Sequence, residues 1–179
     1  MEKAIFAGGC FWCTEAIFQR LKGVNKVMPG YANSNIAHPS YAQVSSGSTG
    51  AAEAIEVTYD PSKISYLELL EVFFKTHDPT ELNKQGADVG PQYRSAVFYV
   101  NSDQKTAALK YIKSLSDSGE YSKPIATGVN RLTHFYKAEE FHRNYYNNNQ
   151  SAGYCRVVID PKINKLLKGF KEKIKAEYQ

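Results

Sequence analysis

The amino-acid sequence predicts an α+β domain, a sheet of antiparallel or mixed strands with helices packed on it. Three observations lead there. Apolar or alternating runs such as "KAIFA", "AEAIEVTYDP" and "RSAVFYV" have the period of strands. Helical patterns, "ISYLELLEVFFKTHDP" above all, are interspersed with them. No G-x-G-x-x-G pattern marks a dinucleotide-binding parallel sheet. The 179 residues suffice for one domain with a sizeable core, and no repeat, low-complexity run or proline-rich linker divides them.

In chain order, "KAIFA" reads as a buried strand stopped by Gly8-Gly9. "FWCTEAIFQRLKG" follows as a helix, with Trp12, Ala16 and Phe18 or Leu21 at helical spacing and Gly23 as its stop. "VNKVMPGYA" is a candidate second strand. The polar segment "NSNIAHPSYAQVSSGSTG" is too turn-rich for regular structure, and loops of that length in a compact domain are usually functional. "AEAIEVTYDP" is a strand ended by Asp60-Pro61. The next helix opens on a capping box, Ser65 with Glu68, and Ile64 is placed to staple against Leu69. A Gly-rich loop, "NKQGADVGPQY", leads to the strand "RSAVFYV", and "SDQKTAALKYIKSL" is a further helix. "GVNRLTHFY" has the composition of a strand and "AEEFHRNYY" that of a short helix. The chain closes with a loop holding Cys155, the run "RVVIDP" and a basic terminal helix.

The net charge of +4 is mild, and the basic residues of "KINKLLKGFKEKIKAEYQ" alternate with apolar ones. That pattern reads as a solvated helix face rather than a nucleic-acid patch. No apolar stretch is long enough to span a bilayer, and the N-terminus lacks the pattern of a signal peptide. Three cysteines, two of them a turn apart, indicate cysteine chemistry in a reducing, cytoplasmic compartment, not a disulfide scaffold.

The order strand, Gly-Gly, cysteine, helix places Cys10 at a helix N-terminus. Unpaired N–H groups and the positive end of the helix dipole there favour a thiolate, so Cys10 is expected to be an acidic nucleophile. The two glycines would let a substrate approach the backbone. Structural zinc fits poorly, because only Cys155 remains besides the Cys10/Cys13 pair and His38, His77, His134 and His142 show no paired spacing. A thioredoxin-type pair is permitted by the local context, but Phe11 and Trp12 crowd the place where a partner disulfide would approach. They suit the wall of a pocket for a small apolar group. A cysteine hydrolase needs a histidine base, and none stands in a recognisable signature.

In "EAIEVTY", Ile55, Val57 and Tyr59 share one strand face, and by period two Glu53 joins them while Glu56 does not. Burial of Glu53 would raise its pKa and suit it to donate a proton; a strand starting one residue later would leave it in solvent. Of the 13 tyrosines, Tyr41 and Tyr93 lie in or at the end of polar loops, where a phenol can donate to a ligand. His142 reads as a surface-packed helical histidine, and His77-Asp78-Pro79 as a helix end and turn.

Together, "GGCFWC", Gly30-Tyr31, "HPSY", "SGSTGAAEAIEVTYDP", "THDPT", "QGADVGPQYRSAVFY" and "FYKAEEFHRNYY…GYC" resemble the A-type peptide methionine sulfoxide reductases, in order and over nearly the whole chain. The resemblance implies a two-layer α+β sandwich with a ferredoxin-like core, one domain over 1–179, with 147–179 a C-terminal segment carrying the resolving cysteine and a terminal helix. It implies Cys10 as nucleophile, Phe11 and Trp12 around the substrate methyl group, and Glu53 as the acid that protonates the sulfoxide oxygen. Tyr41 and Tyr93 would hydrogen-bond that oxygen, and Asp88 would help hold the substrate main chain. Cys155 matches the resolving cysteine, with thioredoxin as reductant, or dithiothreitol in vitro. The S epimer of methionine sulfoxide, free or in proteins, would be the substrate, with no bound cofactor or metal and a monomer sufficing.

Two departures stand out. Many relatives carry glycine where this chain has Cys13, which adds a second candidate resolving thiol. On a helix, Cys13 is expected to point away from Cys10, which favours a mobile Cys155. "GYANSNIAHPSY" also has less glycine than the family pattern, which bears on loop shape near Tyr41. Two rivals remain: a thiol–disulfide oxidoreductase using Cys10 and Cys13 alone, and a module that binds oxidised methionine without turnover.

Overall fold

The computed structural model describes residues 1–179. Strand β1 (Glu2–Gly8) runs into helix α1 (Phe11–Phe18), then strand β2 (Val24–Ala32) and the short helix α2 (Tyr41–Ser45). Strand β3 (Ala52–Tyr59) and helix α3 (Tyr66–Lys75) follow. A small hairpin, β4 (Lys84–Gln85) and β5 (Asp88–Val89), and a 3-10 turn over Pro91–Tyr93 lead to β6 (Ser95–Tyr99). Helix α4 (Ser102–Ser118), β7 (Gly128–Arg131) and β8 (Phe135–Lys137) come next. The chain ends with α5 (Tyr145–Asn148), a π-helical turn over Cys155–Ile159 and α6 (Asp160–Gly169).

The sheet is mixed, in the order β7-β6-β1-β3-β2-β8. Its inner four strands, β6-β1-β3-β2, pair antiparallel, and only β7 runs parallel to its neighbour β6. With α1 and α3 as the connecting helices, this is the ferredoxin-like order expected of the fold. The parallel pair is joined by α4, because parallel strands need a long crossover. One sheet face meets the helices in the main core, where Phe6 lies 4.9 Å from Phe73 and 5.4 Å from Phe18 between ring centroids. The other face carries small residues, Ala7, Ala32, Ala52, Ala54 and Ala96, with Leu132 and Phe135 packed on it. No helix is long and apolar enough to cross a membrane.

Local chemistry explains the elements that were legible. Ser65 accepts from the Glu68 N–H at 3.1 Å, and Glu68 accepts from the Ser65 N–H at 2.8 Å. Ile64 and Leu69 are both buried in the main core. His77 follows the end of α3 and is buried there, held by Phe73 O and Ser95 Oγ. The basic terminal helix is amphipathic, with Ile163 and Leu166 inside and Lys165 and Lys168 outside.

Several expectations give way. The polar segment after β2 does contain regular structure: α2, with its own capping box from Ser40 and Gln43. Helix α1 stops at Phe18, well short of Gly23, because Leu21 bridges to Ile174 and the chain turns there to pair with its own C-terminus. "GVNRLTHFY" splits into β7 and the start of β8, on opposite edges of the sheet. The terminal helix ends at Gly169 and continues only as 3-10 turns.

Candidate active site

Cys10 occupies the N-cap of α1 in extended conformation, as the sequence order required. The glycines before it have a different use from the one expected. Gly9 has a positive φ of 96°, and a Cβ there would lie 2.8 Å from the Gln85 side chain. A Cβ on Gly8 would meet Phe73 and His77. The protein's own side chains take the space that was expected to admit substrate, so the glycines let β1 and α1 close onto α3 and the β4–β5 hairpin.

Glu53 lies in β3, which begins at Ala52, so the register that buries it is the one adopted; it is 1% exposed. Its Oε1 accepts the Phe11 N–H at 3.2 Å, and its buried Oε2 has no hydrogen-bond partner. Burial pushes the carboxyl up to about 8, against the pull of that N–H. A carboxyl raised this far keeps its proton at neutral pH, beside the start of α1.

The same placement reverses the expectation for Cys10. Burial drives its thiol well above the ordinary value, and the contact with Cys13 and the nearby Glu53 add to the shift; only the Trp12 N–H opposes it. Glu53 has taken the first N–H of the helix, one that would otherwise serve a thiolate. Cys13 is the more acidic of the pair, lowered chiefly by its hydrogen bond with Cys10 and further by Lys162 and Tyr154. Cys13 and Cys10 lie in one apolar cluster. Cys155 is not on a loop: it starts the π-helical turn, is fully buried, and packs in that cluster with Cys10, Cys13, Ala16 and Tyr146. All three cysteines are free thiols.

Phe11 is fully buried, its ring centroid 5.7 Å from Tyr31 and 6.5 Å from Tyr41. Trp12 is half-buried and stacks on Tyr145 at 3.7 Å and 9°, with Tyr154 edge-on at 5.8 Å. Tyr41 begins α2 and Tyr93 ends the turn before β6; both phenols are raised by burial first, then by Glu53, and both also feel Cys10. Asp88 on the small hairpin accepts from Tyr154 Oη at 2.6 Å. The candidate site residues therefore converge around the start of α1, whereas His38 and His134 pack on Tyr136.

Three contributors escaped the sequence reading. His142, expected at a surface, is 0% exposed, accepts from Trp12 Nε1 at 3.0 Å through Nδ1, and packs on Phe11 and Tyr41. Glu139 accepts from Tyr31 Oη at 2.7 Å and from the Tyr41 N–H at 2.9 Å. Tyr154 joins Asp88 to the cluster and lies 3.9 Å from Cys13 Sγ. The only available signal was their presence in the blocks "KAEEFH" and "GYC". Two clefts of about 440 and 490 Å³ lie elsewhere, around Glu15, Lys26 and Arg143 and around His77, Asp78 and Lys123, and neither includes a cysteine. No group of His, Cys, Asp and Glu side chains is arranged to hold a metal ion.

The comparisons with known proteins bear on the chain as a whole. The family model described as peptide methionine sulfoxide reductase matches residues 2–175. Peptide methionine sulfoxide reductase MsrA 1 of Rhodopirellula baltica is 52% identical over 175 residues, 98% of this chain and 90% of that protein. Among solved structures, reduced Mxr1 from Saccharomyces cerevisiae superposes with a TM-score of 0.78 at 33% identity, over 86% of this chain and 88% of that one. Mxr1 in complex with Trx2 superposes with a TM-score of 0.56 at 26% identity, over 80% and 84%. A match this long and this close leaves one assignment: the chain belongs to the peptide methionine sulfoxide reductase family.

Proposed function

We propose that this chain reduces the S epimer of methionine sulfoxide to methionine, with Cys10 as nucleophile and Glu53 as acid. The observation that carries the reading is the Glu53 carboxyl, buried, hydrogen-bonded through one oxygen to the residue after Cys10 and with its other oxygen unpartnered, a setting that raises it to about 8. A sulfoxide sulfur becomes electrophilic only as its oxygen is neutralised, so donor and nucleophile must stand together. The Cys10 sulfur attacks the substrate sulfur while Glu53, with Tyr41 and Tyr93, delivers a proton to the oxygen. Phe11 and Trp12 hold the methyl group, and Asp88 the substrate main chain. The Cys10 thiol starts out protonated, and its proton passes to the Glu53 carboxylate as Glu53 gives up its own to the sulfoxide oxygen. Methionine departs and Cys10 is left as a sulfenic acid.

Cys13 lies one helical turn from Cys10 in the same apolar cluster, so it condenses first, forming a Cys10–Cys13 disulfide and water. Cys155, in the same cluster, then attacks the Cys13 sulfur and releases the Cys10 thiolate. This order differs from the expectation that a mobile Cys155 acts directly. A thioredoxin reduces the resulting disulfide; support comes from the yeast Mxr1 solved with Trx2, a thioredoxin. We place the enzyme in the cytoplasm as a monomer, one domain over 1–179 with 147–179 as its resolving segment.

The test is an epimer-resolved assay with a peptide carrying S and R methionine sulfoxide and dithiothreitol as reductant. Loss of the S epimer alone is expected; survival of both would reject the reading. For the resolving order, oxidised Cys155→Ser protein should yield a Cys10–Cys13 disulfide on peptide mapping. A Cys10 sulfenic acid that persists in that variant would restore direct resolution by Cys155.

A further inference from the structure

Glu15 places a carboxyl where charge is expensive. It is 2% exposed, and burial pushes its carboxyl up to about 7 against the pull of the Asn144 and Tyr145 N–H groups and of Arg143. Both its oxygens accept from the Asn144 N–H, at 2.9 and 3.0 Å, and the Tyr145 N–H contributes as well. These are the first N–H groups of α5, which is four residues long and receives no cap from the Asn144 side chain. Asn144 itself sits at φ 56°, the left-handed conformation that asparagine tolerates, so the chain enters α5 through a tight corner. Glu15 caps that corner from another helix.

The reason lies one turn away on α1. Trp12 and Glu15 are three residues apart and share a face of the helix. The same short segment whose backbone Glu15 binds lays the Tyr145 ring flat on Trp12, at 3.7 Å and 9°. Gln19 and Arg20 extend the attachment, with Gln19 Nε2 donating to Asn144 Oδ1 at 3.4 Å and Arg20 Nη2 to Asn147 Oδ1 at 3.0 Å.

We infer that Glu15 is a positioning residue: by binding the backbone that opens α5, it holds Tyr145 against Trp12 and so fixes one wall of the substrate pocket. The inference rests on the reading of Trp12 as that wall, but one of its consequences does not. Trp12 is the only tryptophan in the chain, so its emission reports its stacking directly.

The test compares wild type, Glu15→Ala, Glu15→Gln, Tyr145→Ala and Glu15→Ala/Tyr145→Ala at pH 8. Glu15→Ala should raise KM for methionine sulfoxide about tenfold with kcat changed less than about threefold, because ground-state binding is what the wall supplies. Its Trp12 emission should brighten and move toward that of Tyr145→Ala. Glu15→Gln keeps one acceptor oxygen and should recover most of the KM. In the Tyr145→Ala background, removing Glu15 should change KM little further. Unchanged Trp12 emission in Glu15→Ala, or a KM penalty of the same size without Tyr145, overturns the inference. If Glu15→Ala does not fold, Glu15→Gln with and without Tyr145 makes the same comparison, expected at about threefold in KM and none without the ring. A Trp12→Ala enzyme with normal KM would reject the pocket reading alone, and the emission of Glu15→Ala would still decide the positioning role.

Discussion

At the scale of single residues, Glu53 decides both rate and stability. Glu53→Gln should lower kcat by roughly 10²–10⁴-fold, the range for loss of a general acid. Its effect on folding has the opposite sign. Burial raises the carboxyl to about 8 in the fold against an ordinary 4.5. The native state therefore holds its proton more tightly, and stability falls as pH rises through the window between those values. Glu53→Gln, which never ionises, should unfold like wild type near pH 4 and be more stable by on the order of 3–5 kcal/mol at pH 9. Urea unfolding at the two pH values checks it; equal stability at pH 9 would show that the carboxylate is not desolvated. Glu53 was legible because strand period alone assigns a face. The acidity of Cys10 was not, because its sign depends on burial by Tyr154 and Cys155, far along the chain. The role of His142 depends likewise on Trp12, which no spacing rule connects to it.

At the scale of elements, the caps were written in the sequence, though not equally visible. The Ser65–Glu68 box stands before a strong apolar helix and was plain. The equivalent Ser40–Gln43 box was hidden by the turn-rich composition around it, and α2 went unread. Ser65→Ala should cost about 1 kcal/mol of stability and leave turnover intact, since α3 only backs the sheet. Glu139→Ala acts at α2. It removes the acceptor of the buried Tyr31 hydroxyl and of the N–H that starts the helix at Tyr41. It should destabilise by about 1–3 kcal/mol and also reduce kcat, because Tyr41 loses its anchor. Thermal unfolding and steady-state kinetics on both variants separate the two cases; a Glu139→Ala enzyme with normal kcat would detach Glu139 from the reaction. The π-helical turn at Cys155 had no signature at all, since it forms only where α6 meets α1.

For the whole molecule, the strand order could not be read, because β1 pairs with β3 and β6 across long stretches of chain. Gly30 shows how tightly the sheet edge depends on that order. A Cβ there would run into the Phe135 ring and the Tyr136 carbonyl on β8. Gly30→Ala should displace β8, and with it Glu139 two residues on, costing more than about 2 kcal/mol and most of the activity. Wild-type stability in that variant would show the edge to be pliable. The apolar cluster of three cysteines has a different reach. It gathers thiols from the first and last parts of the chain, so a Cys13–Cys155 bond would tie most of the polypeptide into one ring. By chain-entropy arguments such a ring resists unfolding by about 5 kcal/mol more than the open chain. The enzyme would then be sturdiest in the spent form that awaits its reductant, and most easily unfolded when armed for the next substrate.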